Sequence, residues 1–377
     1  MSRVSPDQAQ WVRRVEEETP AFLERLRDPE REGRYSPVVQ GATPAGDRVA
    51  LGFSCFALKI HHTLGRWEGL GPARQAAWLD FIRSFQVAGD PTQPTSRDAF
   101  WDPAVMDDLL AQERRPLARL RRLWKREALS AVQRTIIAET KQAIASLAEV
   151  GAAPARPYLA FPQTPEGVRQ WLERLPWRLP WGAGAQSCQL AAFLRTQAPA
   201  VLPAARVEGL LAAATAFLDS IVDPQSGAYF RGQAAPERGQ LINGAMKVLT
   251  ALDWLEAPIH HPRRLIDTCL RDLPAPEGCH LVDIVYVLYR CLRQTDHRRD
   301  EAQTFSLALL EMIRRHHNPD GGFSYYIGRS QVNYYGVDIA RGLAESDIHG
   351  AILLVWALAM LLEILEQPRP GWRVIKP

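Results

Sequence analysis

A helix-stopping turn recurs along this chain and limits its fold more than any other feature. Phe22-Leu23 leads a helical stretch that ends at Asp28-Pro29, followed by Gly33 and Tyr35. Phe217-Leu218 leads in the same way to Asp223-Pro224, then Gly227 and Tyr229. Leu309-Leu310 leads to Asn318-Pro319-Asp320-Gly321-Gly322-Phe323, and a degenerate copy runs from Trp78-Leu79 through Asp90-Pro91 to Phe100-Trp101. The residue before a proline avoids helical backbone angles, so each Asp-Pro or Asn-Pro stops an amphipathic helix. Glycine then supplies the turn and an aromatic side chain covers the join.

Helices of a second kind follow these turns. Leu51–Leu64, Ile242–Leu255 and Ile348–Leu365 are apolar on nearly all sides, which places them inside protein. Two further pairs keep the alternation without the turn: Pro165–Leu175 with Ala183–Leu194, and Pro262–Leu273 with Cys279–Leu292. A last pair, Pro72–Gln86 with Leu129–Val150, spans an Arg-rich excursion around Arg114 to Arg126. The count is six amphipathic outer helices and six apolar inner ones, with almost no alternating strand pattern. An open solenoid would wet one face of the inner helices. The expectation is therefore an all-α chain closed as an (α/α)6 toroid. It is read as a single domain over residues 1–377, with an N-terminal extension at 1–20, an Arg-rich helical insertion at 103–127 and a lid-like loop at 324–345.

Composition narrows the class. Hydrophobic residues make up 46% and charged residues 23%, which excludes a disordered chain. A formal net charge of +3 gives no basic surface for a nucleic acid. Five cysteines without a CxxC pair argue against a disulfide framework or a zinc module. Met1–Gln10 is polar and carries no apolar signal region, so the expected location is cytoplasmic. Leu117, Leu120 and Leu123 make Arg114–Arg126 an amphipathic helix first and a peripheral membrane contact second.

The segment Asn318-Pro319-Asp320-Gly321-Gly322-Phe323 resembles the helix-ending turn of the prenyltransferase β-subunit and squalene/terpene cyclase toroids. His280-Leu281-Val282-Asp283-Ile284-Val285-Tyr286 resembles the metal-binding helix start of protein prenyltransferases. The resemblance implies a zinc aspartate at Asp283 and a zinc histidine at His349. The cysteine ligand, however, falls on Val285. The family's diphosphate-binding tyrosine falls on Tyr286, while its arginine, lysine and histidine become Glu277, His280 and Asn243. Two ligands fall short of the three or four that zinc takes. No metal and no cofactor is expected. The DxDD acid of the cyclases is absent too, and Asp107-Asp108 reads as a solvated helix start.

One polar residue precedes each apolar run: Ser54, Gln186, Asn243, Asp283 and His349, with Arg134 or Glu139 in the sixth place. Ser54, Gln186 and Asn243 suit helix caps. Asp283 among Leu281, Val282, Ile284 and Val285 is costly unless paired, with Arg290 or Arg293 as candidate partners, or used. The densest chemistry lies at Phe323, Tyr325, Tyr326, Arg329, Tyr334, Tyr335, Arg341, Asp347 and His349. His260-His261 and His316-His317, at turns, are expected on the surface. The candidate catalytic residues are Asp283, His349, Asp347, Tyr334 and Tyr335. Candidate substrate contacts are Asn243, Gln186, Lys247, Tyr286, Arg329, Arg341, Trp254, Phe323 and Trp356. The leading expectation is an enzyme acting on a small apolar molecule of the isoprenoid class inside the toroid. The alternatives are a glycan lyase or hydrolase and a binding toroid without catalysis.

Overall fold

In the computed structural model, residues 4–90, 93, 95–113 and 129–377 are described. Thirteen α-helices form among them: α1 Pro6–Leu26, α2 Leu51–Thr63, α3 Pro72–Arg83, α4 Pro103–Glu113, α5 Ala131–Glu149, α6 Pro165–Glu173, α7 Pro180–Thr196, α8 Ala204–Asp219, α9 Arg238–Leu255, α10 Pro262–Cys269, α11 Gly278–Leu292, α12 Arg299–Arg314 and α13 Ile348–Ile364. The only named strands among the described residues are β1 Asn333–Tyr334 and β2 Val337–Asp338, an antiparallel hairpin. The chain is all-α, as its patterning requires. Amphipathic helices (α1, α3, α6, α8, α10, α12) alternate with apolar ones (α2, α5, α7, α9, α11, α13) in the expected order. The Arg114 to Arg126 stretch lies outside the described residues.

Contacts divide the chain into two compact units. The first is Ala9–Ala160 with His316–Ile352, and the second is Met1–Gln8, Phe161–Arg315 and Leu353–Pro377. Residues 6–20 of the stretch expected as an N-terminal extension belong to α1, which buries Trp11, Val12 and Val15. No helix among the described residues is long and apolar enough to cross a membrane.

The repeated turn is one structure built four times. Each copy closes with an isolated β-bridge across the stop: Arg27 with Tyr35, Gln86 with Phe100, Val222 with Tyr229, and His317 with Phe323. Gly33, Gly227 and Gly321 adopt φ of 86°, 77° and 77°, angles that a side chain would resist. The aromatic that ends each copy is buried, and Tyr35 stacks on Trp78 at 5.0 Å.

Helix starts are capped from several directions. Ser130 and Gln133 form a capping box on α5, and Thr164 accepts from the Gly167 amide on α6. Asp347 caps α13 through the Gly350 amide at 2.7 Å. Asp102 serves α2 from a distant part of the chain, accepting from the Ala50 and Leu51 amides at 2.7 and 2.9 Å.

The stretch read as a lid is stitched down along its length. Thr43 donates to Ile339 O at 3.1 Å and Arg341 to Gly41 O at 2.8 Å. Glu345 accepts from the Gln40 and Gly41 amides at 2.8 Å each. These bonds tie residues 339–345 to residues 40–43 within the first unit.

Candidate functional site

Three apolar helices of the second unit meet at a polar patch. Gly184 on α7 and Gly244 on α9 let these helices approach closely: a Cβ on Gly244 would lie 2.6 Å from Pro180 Cβ, and one on Gly184 would lie 3.0 Å from Gly244 O. That contact fixes which face α9 turns toward α11. Asn243 and Lys247 on α9, one helical turn apart, then meet His280 and Asp283 on α11 as two polar rungs.

In the outer rung Asn243 Nδ2 lies 3.0 Å from His280 Nδ1, and Trp181 sits 5.7 Å from the imidazole, centroid to centroid. In the inner rung Lys247 Nζ approaches Asp283 Oδ1 at 3.7 Å, too long for a hydrogen bond. Asp283 is fully buried, and neither carboxylate oxygen receives a hydrogen bond from the described residues. Burial pushes its pKa up to about 6, and the charges of Lys247 and His280 only partly oppose this. Burial acts most strongly against the Lys247 ammonium, but Asp283, Cys279 and Cys188 together outweigh it and raise the lysine. The Lys247 side chain is 26% exposed, so it stands between the buried carboxylate and the solvent. The partner expected for Asp283 is thereby corrected: Arg290 pairs with Asp253 and Arg293 with Glu363, leaving Lys247 for Asp283.

A second patch belongs to the first unit. His349, the second residue of α13, is held at Nδ1 by Gln331 Oε1 at 2.6 Å and lies parallel to Phe56 at 4.9 Å and to Tyr325 at 5.5 Å. Asp347 next to it accepts from the amides of Tyr325, Gln331 and Gly350. Burial lifts its pKa to about 6 against those donors. With both oxygens accepting backbone amides, Asp347 ties the start of α13 to residues 325 and 331. Tyr334 is buried against Phe53 and Phe56, with its hydroxyl over Gly52, where a Cβ would lie 2.1 Å from the oxygen. Tyr335 at the hairpin tip has φ 47° and is 38% exposed.

The other predicted contacts divide between core and surface. Phe323 is fully buried against Trp11 and His317. Tyr286 is buried, with its hydroxyl 3.4 Å from Asp253 and its ring against Trp356. Trp254, near the far end of α9, donates to Pro377 O at 3.3 Å. All four aromatic side chains are buried. Gln186 is half-buried, with a 3.4 Å bond to Gly182 O. Arg329 stacks over Tyr326 at 4.5 Å and Arg341 is exposed.

The expected caps are corrected as well. Ser54 lies within α2 and accepts from Trp78 Nε1 at 2.9 Å, and Asn243 is the sixth residue of α9. His316 is fully buried, its Nδ1 2.8 Å from Ser324 O, and the His317 side chain is 4% exposed. Both were expected on the surface. Sequence reasoning passed over His280 as a site residue and gave Glu139 only an alternative sixth place among the polar residues of the apolar helices.

The zinc implied by the family resemblance does not fit these residues. Val285 occupies the thiolate position and is fully buried, and no group of three His, Cys, Asp or Glu side chains among the described residues is placed to hold a metal ion.

No family model matches the chain, and no curated protein matches it. Among solved structures, the GH76A α-1,6-mannanase from Salegentibacter sp. HEL1_6 is similar at 12% identity and a TM-score of 0.42, over 95% of this chain and 99% of that one. An inactive variant of that mannanase in complex with α-1,6-mannotetrose is similar at 12% identity and a TM-score of 0.41, over 95% and 98%. TM-scores below 0.5 leave these likenesses too loose to establish a shared fold.

Proposed function

We propose that this chain is an enzyme that cleaves a glycan by hydrolysis, with Asp283 as proton donor. The observation that carries this is the Asp283 carboxyl: fully buried, without a hydrogen bond from the described residues, and shifted up to about 6. Glycosidic bond cleavage needs a carboxylic acid that keeps its proton near neutral pH, and an apolar setting provides that. Lys247, whose side chain is 26% exposed, stands beside the carboxyl and reaches the solvent. Rotation of its flexible stem uncovers Asp283 to a bound glycosidic oxygen. His280, Asn243 and the half-buried Trp181 are the polar and aromatic partners that a hydroxyl-rich ring requires.

An isoprenoid substrate has less support. The aromatics that would stabilise its cationic intermediates are core residues: Trp254 is 5% exposed, Trp356 3%, Tyr286 1% and Phe323 0%. The test is a comparison of substrates. Wild type and Asp283→Asn are incubated with a panel of neutral polysaccharides, scored for new reducing ends, and with polyprenyl diphosphates, scored for diphosphate release or cyclised product. The expected result is reducing ends from wild type alone. Turnover of a polyprenyl diphosphate with no polysaccharide cleaved would overturn the proposal.

A further inference from the structure

Glu139 lies in the middle of α5, 1% exposed. Its Oε2 accepts from the Asp102 amide at 3.0 Å, while its buried Oε1 has no hydrogen-bond partner among the described residues. Asp102 is itself committed, with Oδ2 on the Ala50 and Leu51 amides and Oδ1 on the Ala104 amide. The next residue of α2 after Leu51 is Gly52, over which the Tyr334 hydroxyl rests. Glu139, Asp102, the first turn of α2 and the β1–β2 tip are thus joined contact by contact. The tip places Tyr335 beside Tyr334, with ring centroids 4.5 Å apart in an edge-on arrangement.

Two further features mark the place as a receptor. Tyr335 is 38% exposed, yet desolvation, followed by the charge of Glu139, raises its phenol. Water thus reaches one side of the Tyr335 ring while protein packs against the other. Burial, and after it the Asp102 charge, pushes Glu139 well above the ordinary carboxylate range. That direction favours the protonated carboxyl. Since Oε2 takes the Asp102 amide, Oε1 is the free end of this carboxyl, and a buried polar atom without a partner is costly unless a ligand supplies one.

We propose that Glu139, Tyr334 and Tyr335 form a carbohydrate-binding subsite in the first unit, in which the unpartnered Glu139 Oε1 hydrogen-bonds a hydroxyl of a neutral sugar laid against the Tyr335 ring. The sugar class rests on the glycan reading above; the site itself rests on Glu139 and the hairpin. An uncharged ligand is specified because a carboxylate ligand would face Asp102 and Glu139. Tyrosine faces stack on sugar rings, and the phenol hydroxyls add polar contacts.

The test separates the two claims. A panel of neutral trisaccharides is titrated calorimetrically into wild type, Asp283→Asn, Glu139→Ala, Glu139→Gln and Tyr335→Asn, the last because asparagine tolerates the left-handed turn. One trisaccharide is expected to bind wild type and Asp283→Asn alike, with about tenfold weaker binding to Glu139→Ala and Tyr335→Asn. Glu139→Gln, which keeps a donor on that carbon, stays within about threefold. Binding that ignores Glu139 and Tyr335, with cleavage still lost in Asp283→Asn, overturns the subsite and leaves the proton donor standing. Tyr335-dependent binding without any cleavage by wild type does the reverse. A readout that needs no ligand is the infrared difference between wild type and Glu139→Gln at pH 7. It should contain a carboxylic-acid C=O band, and a carboxylate band in its place overturns the proposal outright.

Discussion

Replacing Asp283 by asparagine should cost activity and add stability, and the size of the gain follows from the site. The carboxyl titrates from 3.8 in the unfolded chain to about 6 in the fold, a shift of about two units, each worth 1.36 kcal/mol. Folding thus favours the protonated form. The stability associated with Asp283 is fully present below its unfolded value and is lost as pH rises through about 6. By pH 8 the ionised carboxylate costs the fold about 3 kcal/mol, and roughly half of that is already lost at pH 5. Asparagine has the shape of the neutral acid and cannot ionise, so Asp283→Asn should exceed wild type by about 3 kcal/mol at pH 8, or roughly 4 °C in Tm for a chain of this length. Lys247, partly exposed, can hydrate when its partner is neutral. The assay is thermal and urea unfolding of both proteins from pH 5 to 8, with a gap that widens as pH rises. A variant destabilised by 3–5 kcal/mol at every pH, as when a stabilising buried pair is broken, would refute the reasoning.

Other outcomes follow from neighbouring contacts. Lys247→Met removes the charge that opposes the rise of Asp283, so the alkaline limb of the pH–rate profile should move upward by about one unit; an unmoved limb would detach Asp283 from the proton transfer. Asp102→Ala strands two buried amides and a part-buried third, and should cost about 2–4 kcal/mol in urea unfolding. Gly52→Ala drives a methyl into the Tyr334 hydroxyl and should cost about 1–3 kcal/mol, most of it recovered when Tyr334→Ala is added, in a double-mutant cycle followed by thermal melting.

Much of the fold was legible because its punctuation is local. Proline, glycine and the covering aromatic lie within a few residues of one another at Asp28–Tyr35, Asp223–Tyr229 and Asn318–Phe323, and all three copies close as bridged turns. The apolar helices were legible from burial on every side. The site was read less well, since its contacts join residues far apart in sequence. Asn243 passed for a cap because the apolar run was taken as the helix start, whereas α9 begins at Arg238 with a polar first turn. Trp101-Asp102-Pro103 looks like an ordinary turn, and nothing nearby shows that its carboxylate caps a helix some fifty residues earlier. His316 and His317 adjoin a turn, but the turn folds inward under Ser324 and Trp11. Asp283 stood out alone as costly in its context, and the structure bears that cost out in its unbonded oxygens.

The most direct measurement on the central claim needs no substrate. Carbon-13 NMR of the aspartate carboxyls, with the Asp283 resonance assigned by its absence in Asp283→Asn, follows the titration of this one group. The account predicts a midpoint near 6, as its setting dictates. A midpoint at or below the ordinary aspartate value of ~3.9 would show the carboxylate stabilised by its partners, and a proton donor at this position would be contradicted.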